Sequence, residues 1–258
     1  PRHGVITLRW TPDKVGTLAR PVEDCALALG AIYGSDGRDA TVVDAPFAWA
    51  PGGKLTGLRI GYVSDEFEHP APNASADERA RWPARRAVLE AARNAIGATG
   101  ATLVPIALPD LPAQSLYAIL NAEAGAMFDD LLRSGRVRQL AGKGPNHRAN
   151  QLRASRHIPA VEYIRAQRIR TLLLQRMNAL FATIDAFLAP TSSASVTITN
   201  LTGHPAVVLK AGFLDEMPEA IMVTGRLFDE ATILRIASAY ERATSWKDRH
   251  PALDTSSV

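Results

Sequence analysis

Residues 184–213 read I-D-A-F-L-A-P-T-S-S-A-S-V-T-I-T-N-L-T-G-H-P-A-V-V-L-K-A-G-F, and they constrain the fold more than any other stretch. An apolar run rich in β-formers reaches Pro190 and Thr191, then gives way to small hydroxyl residues. A turn is expected at residues 200–205 and a second strand at residues 206–209. Two strand ends should therefore meet at one edge of a sheet. Open α/β sheets bind ligands outside strand ends, which makes Thr191, Ser192, Asn200, Gly203 and His204 the first candidates for substrate contact.

The flanking sequence predicts the rest of an α/β domain. Residues 4–10 read as a strand, and Asp13-Lys14-Val15-Gly16 as a turn. Pro21-Val22-Glu23-Asp24 opens a helix that runs to Ile32, with the acidic residues favouring its positive end. Cys25, Leu29 and Ile32 share helical spacing, so Cys25 is expected to be a core thiol. Residues 58–63 form a buried strand, residues 65–83 a loop, and residues 84–98 a helix with Val88, Ala91, Ala92 and Ala95 on one face. A strand over residues 102–108 completes a strand, helix, strand unit, the arrangement that builds a parallel sheet. Helices follow at residues 115–132 and 158–182, the second with Ile164, Ile169, Leu172, Leu173, Met177 and Leu180 as its apolar stripe. The chain closes with a strand at residues 220–224 and a helix at residues 230–244 with Ile233, Ile236, Ala237 and Tyr240 facing inward. At 258 residues, one large domain covering residues 1–258 is expected: a mixed β-sheet flanked by helices.

Composition excludes several classes. With 47% apolar and 21% charged residues the chain is neither disordered nor fibrous. No apolar run approaches the roughly 20 residues that cross a bilayer. One cysteine excludes an internal disulfide and a cysteine-based zinc cluster, and it fits a reducing setting, so a cytoplasmic location is favoured. No phosphate-binding glycine loop of either dinucleotide or nucleoside-triphosphate type is present. Six histidines occur without a Gly-x-Ser-x-Gly elbow, so a Ser-His-Asp site is not supported. His147 and His157 have no carboxylate between them, so no metal site is expected. From residue 131 to 161 there are seven arginines and lysines and no acid. Such a run could meet phosphates, but the absence of interleaved aromatics disfavours nucleic acid.

Several elements together resemble the amidase-signature family. Asp13-Lys14-Val15-Gly16-Thr17-Leu18-Ala19-Arg20-Pro21-Val22-Glu23-Asp24-Cys25-Ala26 is similar to its D-x-x-G-P-x-x-R-[ST]-V-x-D-x-A element, with Thr17 and Pro21 as departures. Gly34-Ser35-Asp36-Gly37-Arg38-Asp39 resembles a later G-x-D-x-x-D element. Tyr163, Ala166 and Arg170 fit Y-x-x-A-x-x-x-R. Asn200-Leu201-Thr202-Gly203-His204-Pro205-Ala206 resembles the C-terminal hallmark, and Gly225 to Glu230 with Trp246 and Pro251 the usual ending. The resemblance covers residues 4–251. Many members carry a long insertion between Pro-Thr and Asn-Leu-Thr-Gly, whereas only residues 192–199 stand there in this chain.

The resemblance implies a serine hydrolase of carboxamide C–N bonds, with a serine nucleophile, a second serine in a cis peptide and a neutral lysine as base, and with no metal or organic cofactor. Family order places the Gly/Ser-rich nucleophile stretch just before Gly4 and the lysine further upstream. This chain is accordingly expected to hold no catalytic residue and to be the N-terminally truncated, C-terminal portion of a longer domain, a fragment or processed product that starts at Pro1 rather than Met. Ser192-Ser193 and Ser256-Ser257 are serine pairs outside any glycine-rich elbow; the first is read as a polar strand end and the second as a frayed terminus. Tyr163 and Arg153 precede the strand ending at Pro190 and complete the substrate-binding candidates. The implied partner is a small-molecule amide substrate, and a homodimer or a partner subunit is open too. Two alternatives remain beside a simple amidase: the amidase-like subunit of a glutamine-dependent amidotransferase, and a non-catalytic scaffold.

Overall fold

The computed structural model describes residues 1–52, 54–142 and 144–251; Gly53, Lys143 and the pair Ser256-Ser257 lie outside the described residues. Its centre is a five-stranded mixed sheet of order β2-β1-β3-β5-β4. The strands are β1 (Arg59–Val63), β2 (Thr102–Ile106), β3 (Ala186–Pro190), β4 (Ala206–Leu214) and β5 (Met217–Gly225). β1 is parallel to β2 and β3, whereas β5 is antiparallel to β3 and β4. The expected α/β architecture is present. The two strands of residues 184–213 do not meet, however, because β5 lies between them.

β3 is apolar throughout and buried throughout, as a strand covered on both faces must be. Its side chains alternate between two cores. Ala186 and Leu188 join a cluster with helices α1 (Val22–Ile32), α3 (Ala76–Ala98) and α9 (Glu230–Ala243); the inward face expected for α9, with Ile233, Ile236, Ala237 and Tyr240, is buried there. Phe187 and Ala189 face the opposite cluster, formed with α4 (Tyr117–Met127), α7 (Ala160–Phe181) and α8 (Ala194–Thr202). Three short helices complete the connections: α2 (Ser64–Glu68), α5 (Asp129–Arg133) and α6 (Arg148–Ser155).

Several expectations are corrected. Most of residues 65–83 is helical: α2 directly follows β1, and α3 starts at Ala76. Ser75 and Glu78 form a reciprocal capping box at its start, and Pro83 sits on the exposed side of the helix. The buried face of α3 is Trp82, Leu89, Ala92 and Ile96, with Ala91 exposed. The helix expected at residues 115–132 is divided at Phe128, whose φ of −102° and ψ of 23° are not helical. In α7, Leu173 and Met177 are buried as expected, but Ile164 and Leu172 are exposed. Cys25 is half-buried rather than a core residue, because α1 packs through Val22 and Ala26, one position round the helix.

Residues 4–10 form no strand. Their neighbours are side chains in place of a sheet edge: Asp13 accepts hydrogen bonds from the Leu8 and Arg9 amides at 2.5 and 2.9 Å. Glu123 of α4 accepts from the Thr11 amide and hydroxyl at 3.0 and 2.7 Å. Val5, Ile6, Leu8 and Trp10 stay exposed. Among the described residues no helix is long and apolar enough to cross a membrane.

Candidate functional site

The segment expected to be an irregular link between two strands is helix α8, and it builds one wall of a sizeable cavity. Its sequence, Ala-Ser-Val-Thr-Ile-Thr-Asn-Leu-Thr, contains five β-branched residues, so intrinsic preference does not explain the helix. Its ends do. Ser193, the N-cap, makes no side-chain cap bond and its hydroxyl donates to Pro190 O at 2.6 Å. The cap comes instead from Glu66 of α2, whose carboxylate accepts from the Ser195 amide at 2.9 Å and from the Ser195 hydroxyl. At the other end Gly203 takes a left-handed conformation, φ 81°, and its amide returns to Thr199 O. Arg170 Nε donates to Leu201 O at 2.6 Å, and Lys14 Nζ donates to His204 O at 3.2 Å. A carboxylate at the positive end and cations at the negative end both complement the helix dipole.

The cavity, of about 880 Å³, lies where α8 and the first residues of β4 meet the N-terminal segment and one side of α1. Thr191, Asn200 and Gly203 line it together, as the sequence suggested, with Thr11, Lys14, Cys25, Val196 and Thr199 around them. The other four candidates stand elsewhere. Ser192 points toward α3, its hydroxyl accepting from Arg85 Nη1 at 2.8 Å, and Arg85 pairs with Glu219 at 2.8 Å. Tyr163 donates to Glu123 at 3.2 Å and accepts from Gln167 at 2.8 Å, behind the N-terminal segment. Burial raises its pKa. Arg153 is exposed on α6, donates to Asn150 at 2.6 Å, and lines a separate cavity of about 330 Å³ with Arg138 and His147. In the basic segment that surrounds it, Arg156 pairs with Asp129 at 2.9 Å and Arg133 with the same carboxylate.

His204 is wholly buried. Its ring stacks on Phe181 with centroids 4.8 Å apart, and Nδ1 lies 2.7 Å from Thr202 Oγ1, which donates to Ile198 O. That assignment makes Nδ1 the proton-bearing nitrogen and leaves Nε2 a buried acceptor with no partner among the described residues. Burial, assisted by the Lys14 charge, lowers the His204 pKa to about 4, so the ring is neutral at ordinary pH. Only its carbonyl, through Lys14, communicates with the cavity wall.

Lys14 is the cavity-lining residue that composition and spacing did not single out. The residue as a whole is exposed, yet protein atoms around the ammonium lower its pKa by desolvation. Among the described residues it makes no ion pair. The only signal in the sequence was a lone lysine inside the first family-like element. Among the described residues no group of three or more histidine, cysteine or acidic side chains is placed to hold a metal ion. The wall can offer hydrogen bonds from Thr191 and Asn200 and a positive charge from Lys14, beside Arg2, which pairs with Asp39, and the carboxylates of Asp13 and Glu230.

A mixed sheet flanked by helices, with this cavity beside a hydroxyl-rich helix, defines an α/β protein. The family model described as Amidase matches residues 1–197, and the chain belongs to the amidase family. Among curated relatives, a glutamyl-tRNA(Gln) amidotransferase subunit from Chloroflexus aggregans is 32% identical over 296 residues, covering 98% of this chain and 58% of the relative. Its counterpart from Roseiflexus castenholzii is 29% identical, covering 97% and 58%. Of solved structures, the peptide amidase of Stenotrophomonas maltophilia superposes with a TM-score of 0.74 at 23% identity, covering 99% of this chain and 58% of its own. The corresponding glutamyl-tRNA(Gln) amidotransferase subunit of Thermotoga maritima gives 0.74 at 20% identity, covering 97% and 57%. These structural likenesses show a shared fold. The chain spans about 58% of the length of the curated relatives it matches. The 296-residue match exceeds the 258 residues of this chain, so the Chloroflexus relative carries additional residues within the matched region.

Proposed function

We propose that these residues supply the sheet, α8 and a substrate-facing wall of an amidase that cleaves a carboxamide C–N bond through an acyl-serine intermediate. The observation that carries this reading is family membership combined with a cavity whose wall has hydrogen-bonding groups and a cation but no nucleophile. In this reading the serine, cis-serine and lysine triad comes from residues outside these 258. Thr191 and Asn200 hold the amide in place by hydrogen bonds, and Lys14 adds a positive potential to that wall. A hydrolase without its nucleophile and base keeps only binding contributions, so the 258-residue chain alone is expected to release no ammonia from simple carboxamides. Detectable, stoichiometrically repeated hydrolysis by the pure chain overturns the assignment of the triad to other residues.

A second reading is favoured by the curated relatives: one component of a glutamine-dependent amidotransferase, working beside a partner subunit. The substrate would then be glutamine and the ammonia would pass to a second active site. Co-purification of a stable heteromer with glutaminase activity supports this reading, and a homodimer active on other amides without a partner excludes it.

A further inference from the structure

We propose that Glu66 is a positioning residue for the cavity: from the end of β1 it caps α8 across the chain and thereby sets where Thr191, Thr199 and Asn200 stand. This goes beyond the amidase reading and does not depend on it, since it concerns the placement of a wall and not the bond that is broken.

The reasons begin with α8 itself. Nine residues are too few for a helix to persist alone in water, and five β-branched residues weaken it further. Its own N-cap, Ser193, spends its hydroxyl on Pro190 O. Glu66 therefore holds the first turn, through a two-point contact with the backbone and hydroxyl of Ser195, a residue 129 positions away in sequence. Ser195 is fully buried and lies off the cavity wall. It cannot reach a substrate, which excludes a nucleophile and leaves placement as the role of the pair. The same turn leads directly into Val196, Thr199 and Asn200 on the wall, and Thr191 precedes it at the end of β3. Cross-tying the C-terminal ends of two parallel neighbours, β1 and β3, fixes that edge of the cavity.

Two opposed effects act on the carboxylate. Burial raises its pKa, and Asp65 on the same helix adds to that; the hydrogen bonds from Ser195 act the other way. The other charged groups on the surrounding elements are engaged elsewhere. Arg85 of α3 pairs with Glu219 of β5 and donates to Ser192, and Arg93 of α3 lies over the Tyr62 and Phe67 rings. Because burial wins, the pKa is raised, and the folded state binds the proton more readily than the open one. A protonated carboxyl still accepts from the Ser195 amide and can donate to its hydroxyl, so protonation preserves the clamp. The sign follows: opening α8 exposes Glu66 to water and restores its ordinary pKa, so opening becomes easier as pH rises above the usual glutamate range.

Amide hydrogen exchange on the purified protein tests this without any substrate. Glu66→Ala is expected to speed exchange of residues 195–199 by about tenfold or more while α3 and α9 keep wild-type rates. Glu66→Gln, which can still accept from the Ser195 amide and donate to its hydroxyl, is expected to stay within about twofold of wild type. Corrected for intrinsic rates, wild-type protection of α8 falls as pH rises above the usual glutamate range and that of the Gln variant does not. Wild-type rates in the Ala variant, equal loosening of α3 and α9, a Gln variant that behaves like Ala, or a wild-type profile flat with pH each overturn the proposal.

Discussion

Strand β3 and residues 4–10 carry comparable apolar patterns, yet every residue of β3 is buried while Ile6 is 78% and Trp10 54% exposed. The difference lies in what each segment finds on either side. β3 has the edge of β1 on one flank and β5 on the other, so its amides and carbonyls are paired and both faces covered. Residues 4–10 find the Asp13 carboxylate, which takes the Leu8 and Arg9 amides, and Glu123 on α4 takes that of Thr11 just beyond. A β-like pattern becomes a strand only where an open edge waits for it. The molecule thus has an interior held by burial and a periphery held by a few polar tethers.

That contrast can be broken at four places. The largest effect is expected in the interior: Phe187→Ala removes a fully buried ring and should cost about 3–5 kcal/mol, read as a lowered denaturant midpoint. Next comes His204, buried and neutral in the fold. Its pKa falls from 6.5 to about 4, so the unfolded chain binds the extra proton and stability is lost as pH drops through that window. The loss should be on the order of 3 kcal/mol, and His204→Phe should flatten the acid limb of a stability-versus-pH curve. Glu66 acts in the opposite direction, since its raised pKa favours the fold at lower pH.

At the boundary, Glu123→Ala should cost about 2 kcal/mol by stranding the Tyr163 and Thr11 donors. Its sharper signature is regional, with trypsin cutting at Arg9 and Lys14 before the rest of the chain. The smallest effect belongs to the periphery: Leu18, fully exposed, should tolerate Leu18→Ser within about 0.5 kcal/mol. A loss comparable to that of Phe187→Ala would mean that the N-terminal segment has its own packed environment.

How far the sequence spoke for itself follows the same division. The parallel unit of β1, α3 and β2, the buried β3 and the inward face of α9 were all readable, because each carries a periodic apolar pattern that burial then rewards. The cavity wall was readable only in part. Thr191, Asn200 and Gly203 stand on it because they follow a strand end and close a turn. α8 was not readable: its Val, Thr and Ile residues speak for a strand, and the groups that make it helical, Glu66, Arg170 and Lys14, are distant in sequence. His204 was misplaced for a related reason, since nothing local says that Phe181 will cover its ring. The early start of α3 is different, because the Ser75 and Glu78 capping pair is visible in the sequence and outweighs Pro83, which the helix carries on its exposed side.

The strand order also governs how the sheet can be assembled. The chain makes β4 before β5, yet β5 occupies the place beside β3. β4 must therefore be laid down two strand spacings, about 10 Å, from β3, with α8 bridging the gap. Asp215 and Glu216, with φ of 47° and 63°, close a tight two-residue turn that lets β4 and β5 pair with each other first. The finished hairpin then enters as a unit, inner strand leading. Until residue 225 has left the ribosome, one flank of the fully buried strand β3 stays bare, which makes the interval between the synthesis of β3 and that of β5 the one in which this sheet is most exposed to aggregation.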